Sequence, residues 1–572
     1  MNSHTDKKSL EELLALHEQD ATNRYPLVEL AKLYERNGDA PNMYDCILKL
    51  KRLGPLTGIE QICIVTSLNS LPELPKYEEF ETDLNDFLDY SNVNPTGLMP
   101  VLSNHFCAKY GLAEENPNIE LEDLLADQLL HKAARTVHFA SRHIEELFTK
   151  VRQAMVTEIA SNQTISTQIT PLLETIALQN HINEYIHPLS SDEEEILQLC
   201  SQLLTSQANE ESWSPKDSEL ILLCLAMYGQ LYDLPIREKL LSHPIKTWPT
   251  SLQAVAKRTL FDIAHEVEVA QQIPKLTEID DETSLAVRTQ YENNPYPRWL
   301  RPNCPPPQTY GKQLALSLPG FEPPESLLKS KFNVLLAGCG TGQQPIEMAL
   351  TFPQAKITAI DISRRSLAYA QLKTEEFDVS NINFYHGDIL KLGQLNERFD
   401  LIICSGVLHH MADPLQGWRI LRGLLATDGI LRIDLYSKIA RREIIAQREI
   451  IKASNIDPTP ENIKQYRQNL IADGSHENIL GFGDFWTLSM CRDLLFHFQE
   501  HQFTWPEIQQ CCDRLDMEFI GVGTDQQTYQ QYRKRFPNDA ACRDLNNWHQ
   551  LELENPDLFR AMYGVWCRLR PK

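Results

Sequence analysis

Three glycines close behind an apolar run carry the clearest chemical signal in this chain. Val334-Leu335-Leu336-Ala337 leads directly into Gly338, Gly340 and Gly342. A continuous apolar run of this kind predicts a strand buried on both faces, as in a parallel sheet. Glycines at its end let the backbone turn tightly and approach a ligand, with the N–H groups of a following helix pointing at it. Pro345 suits the first turn of that helix, and Ile346, Ala349 and Leu350 recur at helical spacing. A second strand, Lys356 to Asp361, ends in a carboxylate nineteen positions after Gly342. That distance suits an acceptor for ribose hydroxyls. A third strand, from Asn383, ends in Gly387-Asp388, where a carboxylate can meet the amino group of an adenine. The pattern predicts a nucleoside-bearing cofactor.

The residues beyond these separate one cofactor from another. Phe399 to Cys404 reads as a fourth strand whose loop carries Ser405, His409 and His410, and Leu424 to Asp434 supplies a turn and a fifth strand. AGCGTG, the acid after the second strand, GDI, FDLIICSGVLHH and TDGILRI occur in this order over residues 332–434. In this the chain resembles the class I S-adenosylmethionine-dependent methyltransferases. The resemblance implies an α/β, Rossmann-like sheet of seven strands, with S-adenosyl-L-methionine as cofactor. The contact set it implies is Gly338, Cys339, Gly340 and Gly342 from the first turn, Asp361 and Ile362 from the second strand, Asp388 and Ile389 from the third, and Ser405 from the fourth. One position departs from the family's pattern. Leu336 stands where an acid often orders the methionine end of the cofactor. A cofactor-binding adaptor without turnover is therefore kept as an alternative to an enzyme, beside a small-metabolite methyltransferase whose helical region is only a scaffold.

A sulfonium methyl is already electrophilic, so the protein's tasks are to position a nucleophile and exclude water. A hydroxyl, carboxylic or ammonium acceptor must also lose a proton, and histidine is suited to take it near neutral pH. His409 and His410 are the candidates; packing against the cofactor is the competing role for either. Tyr291, Tyr296 and Tyr436 are candidates for orienting the acceptor. The fourth-strand loop lacks the Asn/Asp-Pro-Pro-aromatic signature of enzymes that methylate exocyclic base nitrogens.

The remaining segments must position these groups. Residues 1–270 have a helical pattern throughout. Leu27, Leu30, Ala31 and Tyr34 share one face, Asn37-Gly38-Asp39 interrupts, and Met43, Cys46, Ile47 and Leu50 form a facing stripe. This pair resembles one tetratricopeptide unit, so the region reads as an all-α, tetratricopeptide-like region that docks a protein or peptide, or as a scaffold. Residues 271–330 form a linker containing Gln290-Tyr291-Glu292-Asn293-Asn294-Pro295-Tyr296-Pro297-Arg298-Trp299 and a proline-rich stretch through Cys304 to Pro307. QYENNPYPRW resembles the same segment in bacterial proteins that join tetratricopeptide-type helices to this catalytic domain. Physically it reads either as a lid over the cofactor or as a stiff linker anchored by Trp299. Residues 331–437 hold the cofactor-binding half of the sheet, and 438–500 form a helical insertion that is a candidate acceptor site. Residues 501–572 complete the fold with a helix opened by Thr504, a sixth strand at Met517 and an antiparallel seventh at Tyr563. Within the insertion Asp493, His497 and His501 lie four apart, which predicts one helical face suited to substrate recognition together with Arg492; no metal is assigned.

Composition frames these readings. With 42% hydrophobic and 23% charged residues the chain is that of a folded globular protein. A net charge of −24 opposes the basic footprint that nucleic acid requires. The acidic run at Asp192 predicts the first turn of a helix. Thirteen cysteines without a CxxC pair read as free thiols, and the absence of an apolar span or leader predicts a cytoplasmic protein.

Overall fold

The buried apolar runs pair into one seven-stranded sheet in the computed structural model, which describes residues 2–114, 117–161, 167–303 and 309–571. The strands are β1 (Asn333–Ala337), β2 (Lys356–Asp361), β3 (Ile382–His386), β4 (Phe399–Ser405), β5 (Leu425–Leu435), β6 (Met517–Gly523) and β7 (Tyr563–Leu569). Their order is β3-β2-β1-β4-β5-β7-β6. Neighbouring strands from β3 through β5 are parallel, and β7 runs antiparallel between β5 and β6. Alternation along β1 explains why its run is apolar throughout. Val334 and Leu336 enter a cluster with Phe352, Ile357, Ile403 and Trp566 on one face. Leu335 and Ala337 enter the other, with Ile360, Ile402, Trp418 and Trp505. Each fully buried leucine or isoleucine contributes about 1.5–3 kcal/mol.

The order reverses at β1, whose neighbours are β2 on one side and β4 on the other. Ligands of open α/β sheets bind beyond the carboxyl ends of the strands at such a switch point. The helix after β1 spans Gln343–Thr351, beginning two residues before Pro345, with Gly342 as its cap residue. Thr504 and Glu507 form a capping box on the helix Trp505–Arg514, and Ser190 and Glu193 do the same for Ser191–Gln207. Among the described residues the cysteines are free thiols, and no helix is long and apolar enough to cross a membrane. The expected stretch Cys304 to Pro307 lies outside the described residues.

The chain divides into two units that do not follow its linear order. Met1–Leu71, Val269–Gln447 and His497–Lys572 form the sheet-bearing unit. Its first segment includes the expected helix pair, Arg24–Asn37 and Ala40–Leu53, turned at Gly38 with φ +70°. The side-chain amide of Gln530, on the helix Gln526–Arg535, donates to the Arg36 carbonyl at 2.8 Å. Pro72–Glu268 and Arg448–Phe496 form an all-helical unit. Most of the insertion thus folds with helices far from it in sequence. A buried ion pair joins them: the Arg467 guanidinium grips both oxygens of Glu145, and its Nε donates to the Phe485 carbonyl at 2.8 Å. Gln468 donates to Glu145 at 2.7 Å, and the Ser489 hydroxyl to Glu184 at 2.8 Å.

The predicted helical face of Asp493, His497 and His501 is not formed. The helix Leu488–Phe496 ends one residue before His497, and His501 lies in extended chain. Asp493 lies in the segment of the all-helical unit that ends at Phe496, while His497 opens the next segment of the other. That segment pairs with the chain leaving β5: Lys438 donates to the Phe503 carbonyl and Phe503 to that of Tyr436, both at 2.9 Å. The competition is between a helical i,i+4 pattern and strand-like backbone pairing, and the pairing wins here.

Candidate active site

The turn after β1 is built from left-handed residues, with φ of +77° at Gly338, +53° at Gly340 and +84° at Gly342. Gly338 and Gly342 are also closed by neighbours. A Cβ would lie 2.3 Å from a Val407 methyl at the first and 2.3 Å from the Ala370 Cβ at the second. Gly340 is different, because only the Tyr296 carbonyl, at 3.2 Å, comes near. Its N–H donates to Asp361 Oδ2 at 2.7 Å, and Ser363 N–H donates to Oδ1 at 2.9 Å. Burial pushes the Asp361 carboxyl up to about 6, against the pull of these backbone donors.

Asp388 lies just past β3. Its Oδ1 caps the following 3₁₀ turn by accepting from Leu390 N–H at 2.9 Å, while its Oδ2 is buried with no hydrogen-bond partner. Its own N–H donates to the Thr277 hydroxyl at 2.7 Å. Thr277 belongs to a short chain that adds to the sheet edge beside β3, where Leu276 N–H donates to the His386 carbonyl and His386 N–H to that of Pro274, both at 2.8 Å. Ile389 is buried beneath the turn, and the Ile362 carbonyl accepts from the His386 ring at 3.1 Å. Cys339 is enclosed, and burial holds its thiol well above the usual range, so it stays protonated. Leu336 is packed into the apolar layer and offers the site no polar atom.

Beyond Ser405, the β4 loop turns through Leu408–His410 and buries both histidines. The His409 ring lies tilted against Tyr436 at 4.0 Å between centroids, and neither of its nitrogens has a partner. Burial pushes it far below the ordinary histidine range, so it is neutral. His410 Nδ1 meets the Gln499 carbonyl at 2.7 Å. A carbonyl only accepts, so Nδ1 carries a proton. The His410 ring stacks on His497 at 3.6 Å. His497 Nδ1 accepts from Gln499 N–H at 3.1 Å, which leaves its Nε2–H to donate to the Tyr291 hydroxyl at 3.2 Å. The segment 497–501 therefore meets the β4 loop and Tyr291 directly.

The segment ahead of β1 is fixed in place rather than slack. Trp299 Nε1–H donates to the Thr341 carbonyl at 3.1 Å, the Thr341 hydroxyl to the Pro297 carbonyl, and Lys373 to the Leu300 carbonyl at 3.1 Å. Tyr296 contributes its carbonyl beside Gly340, and its peptide bond to Pro297 is cis. Sequence reasoning passed over Thr277, Gln499 and Glu292, which act through backbone groups or across long sequence distances. Glu292 and Gln499 lay within segments that stood out, the stretch ahead of the first strand and the insertion; Thr277 did not.

Comparison with known proteins matches part of this chain to one family model. Residues 328–479 match the family model described as a methyltransferase domain. An uncharacterized protein of Synechococcus sp. is 37% identical over 172 residues, 30% of this chain and 41% of that protein. The malonyl-[acyl-carrier protein] O-methyltransferase of Bacillus anthracis is 36% identical over 115 residues, 20% of this chain and 41% of that enzyme. The chain thus spans about two fifths of the length of these curated relatives. The solved structure of PKMT2 from Rickettsia typhi aligns with a TM-score of 0.35 at 15% identity, covering 46% of this chain and 54% of that one. The family resemblance implies S-adenosyl-L-methionine as the cofactor of such a domain. The residues present fit it: the open approach at Gly340, the ribose-side carboxylate of Asp361, and the unpartnered Asp388 Oδ2 for an amino donor.

Proposed function

We propose that this chain, which carries a methyltransferase domain at residues 328–479, transfers a methyl group to an acceptor presented on a protein, a peptide or a carrier. The observation that carries the reading is the gathering of the glycine turn, two buried carboxylates and two buried histidines at the carboxyl ends of β1 to β4. When bound, S-adenosyl-L-methionine supplies an electrophilic methyl on a sulfonium. Gly338, Cys339, Gly340 and Gly342 would cradle it, Asp361 and Ile362 would hold the ribose side, Asp388 and Ile389 the adenine side, and Ser405 the edge nearest the β4 loop. His410 is the candidate base for the acceptor's proton in this reading, its ring held by Nδ1–H on the Gln499 carbonyl. His409 packs between Tyr436 and His410 and excludes water. Tyr291 and Tyr296, from the segment over the glycine turn, orient the acceptor.

The all-helical unit and the tetratricopeptide-like helix pair are the docking surfaces in this reading. Malonyl-[acyl-carrier protein] enzymes among the relatives support a carrier-borne acceptor. The net charge of −24 speaks against nucleic acid. Incubating the protein with methyl-labelled S-adenosylmethionine in a bacterial lysate tests the reading. Label on protein is expected, and label only on small molecules would refute the docking role. Replacing His410 with Asn should lower turnover about 10²–10⁴-fold with S-adenosylhomocysteine affinity intact. Equal turnover would remove His410 from the chemistry.

A further inference from the structure

Glu292 reaches from the segment ahead of β1 to the chain leaving β2. Its Oε1 accepts from Arg364 N–H and its Oε2 from Arg365 N–H, each at 2.9 Å, capping the helix Arg364–Glu376 from outside. The Ser363 hydroxyl lies 3.4 Å from Oε2 and 3.2 Å from the Tyr291 carbonyl. Ser363 N–H in turn donates to Asp361 Oδ1, whose partner oxygen takes the Gly340 N–H. One unbroken chain of hydrogen bonds thus joins Glu292 to the glycine turn through Asp361.

We infer that Glu292 is a positioning residue for the cofactor, fixing Asp361 for the ribose by clamping the carboxyl end of β2. The inference rests on the cofactor reading above and adds to it a residue outside every cofactor motif. By linkage, a ligand that needs Asp361 in this orientation also favours docking of the Tyr291–Trp299 segment, and the reverse. Glu292→Gln keeps the size but turns an –NH₂ toward backbone N–H donors, so one of the two caps is lost.

The groups facing Asp361 are few and named. Glu292 comes from the segment and Cys339 from the glycine turn. On β3, the His386 ring is turned to the Ile362 carbonyl, and the Arg364 guanidinium is held by the Ala270 and Ile273 carbonyls. Removing the Glu292 charge therefore lowers the pH at which Asp361 ionises.

Calorimetry of the full chain with S-adenosylhomocysteine, from pH 5 to pH 8, is the test. For the unmodified protein, affinity should fall as pH drops through about 6, where Asp361 is protonated. For Glu292→Gln, affinity at pH 8 should be about ten-fold weaker and the inflection should move to lower pH. Affinity within two-fold of the parent, or a uniform loss with an unmoved inflection, overturns the inference. Should the variant not fold, hydrogen exchange on the unmodified chain decides: S-adenosylhomocysteine should slow the Arg364 and Arg365 amides, and unchanged rates overturn the coupling. No binding to the unmodified chain at any pH would instead sink the cofactor reading itself.

Discussion

Gly342→Ala and Gly340→Ala should separate folding from ligand approach within a single turn. Both residues have positive φ, +84° and +53°, and a left-handed backbone costs an alanine about 1–2 kcal/mol. At Gly342 the new methyl would sit 2.3 Å from the Ala370 Cβ and 3.0 Å from its Cα, with helix backbone behind it. Overpacking of this kind adds about 1–3 kcal/mol, giving about 2–5 kcal/mol in all. At Gly340 only the Tyr296 carbonyl lies near, at 3.2 Å, so the backbone term stands almost alone at about 1–2 kcal/mol. Gly340→Ala should therefore melt higher than Gly342→Ala. A gap of about 1–3 kcal/mol is worth at least about 2 °C in a large domain. The order should invert in binding. The Gly340 methyl projects where a ligand's backbone contacts are expected, so S-adenosylhomocysteine affinity should fall further there, measured by calorimetry on the folded fraction of each variant. If Gly342→Ala melts within 1 °C of the parent, or Gly340→Ala is the less stable of the two, the assignment of one glycine to packing and the other to approach is wrong.

Other changes test neighbouring parts of the argument. Asp388→Asn keeps an oxygen to cap Leu390 but turns an amide donor toward the expected adenine amino group. It should leave the melting midpoint nearly unchanged and weaken S-adenosylhomocysteine about 10- to 150-fold, the equivalent of about 1.5–3 kcal/mol for a hydrogen bond to a charged group; unchanged affinity would remove Asp388 from the site. Glu145→Gln strands the buried Arg467 charge and should cost the helical unit about 3–5 kcal/mol, with recovery when Arg467→Met is added; denaturation that shows no recovery would refute the pairing. Burial lifts the Glu552 carboxyl to about 7, beneath the hydroxyls of Ser437 and Tyr563. Since its folded value lies above the unfolded one, the contribution of Glu552 to stability is fullest below about pH 4.5 and is lost as pH rises through 7, by roughly 3 kcal/mol. Glu552→Gln, which mimics the protonated acid, should flatten the melting midpoint between pH 5.5 and 8 relative to the parent, and parallel curves would contradict this.

The sheet was legible because its signal is local. A strand buried on both faces must be apolar throughout, and β1 is legible from that alone. The glycine turn was legible for the same reason, since Gly338 and Gly342 answer to φ and to one close neighbour each. Partnership between helices was not legible. An amphipathic stripe names the buried face of a helix but not what covers it. So the hairpin at Gly38, which reads as part of a continuous helical region, joins the sheet-bearing unit, and Arg467 finds Glu145 far back in the chain. The His497 and His501 spacing failed differently: four-residue spacing marks a helical face only if a helix is present, and backbone pairing at Phe503 takes precedence.

His409 and His410 show where sequence reading stops and tertiary structure takes over. The doublet offers two identical side chains at the same loop, and no pattern in the chain ranks them. The structure distinguishes them by one backbone carbonyl. His410 Nδ1 has the Gln499 carbonyl to hold its proton. His409 has no partner at either nitrogen and is fully buried, so protonating it would place an unsolvated charge beside His410, Arg441 and His497. A base must hold a proton for part of the cycle, and His409 is poorly suited to that. The difference rests on Gln499, in a segment that returns from the helical insertion to the sheet at His497. If the doublet is split in this way, the insertion contributes to the chemistry through a main-chain carbonyl, a contribution that no side-chain motif could have announced.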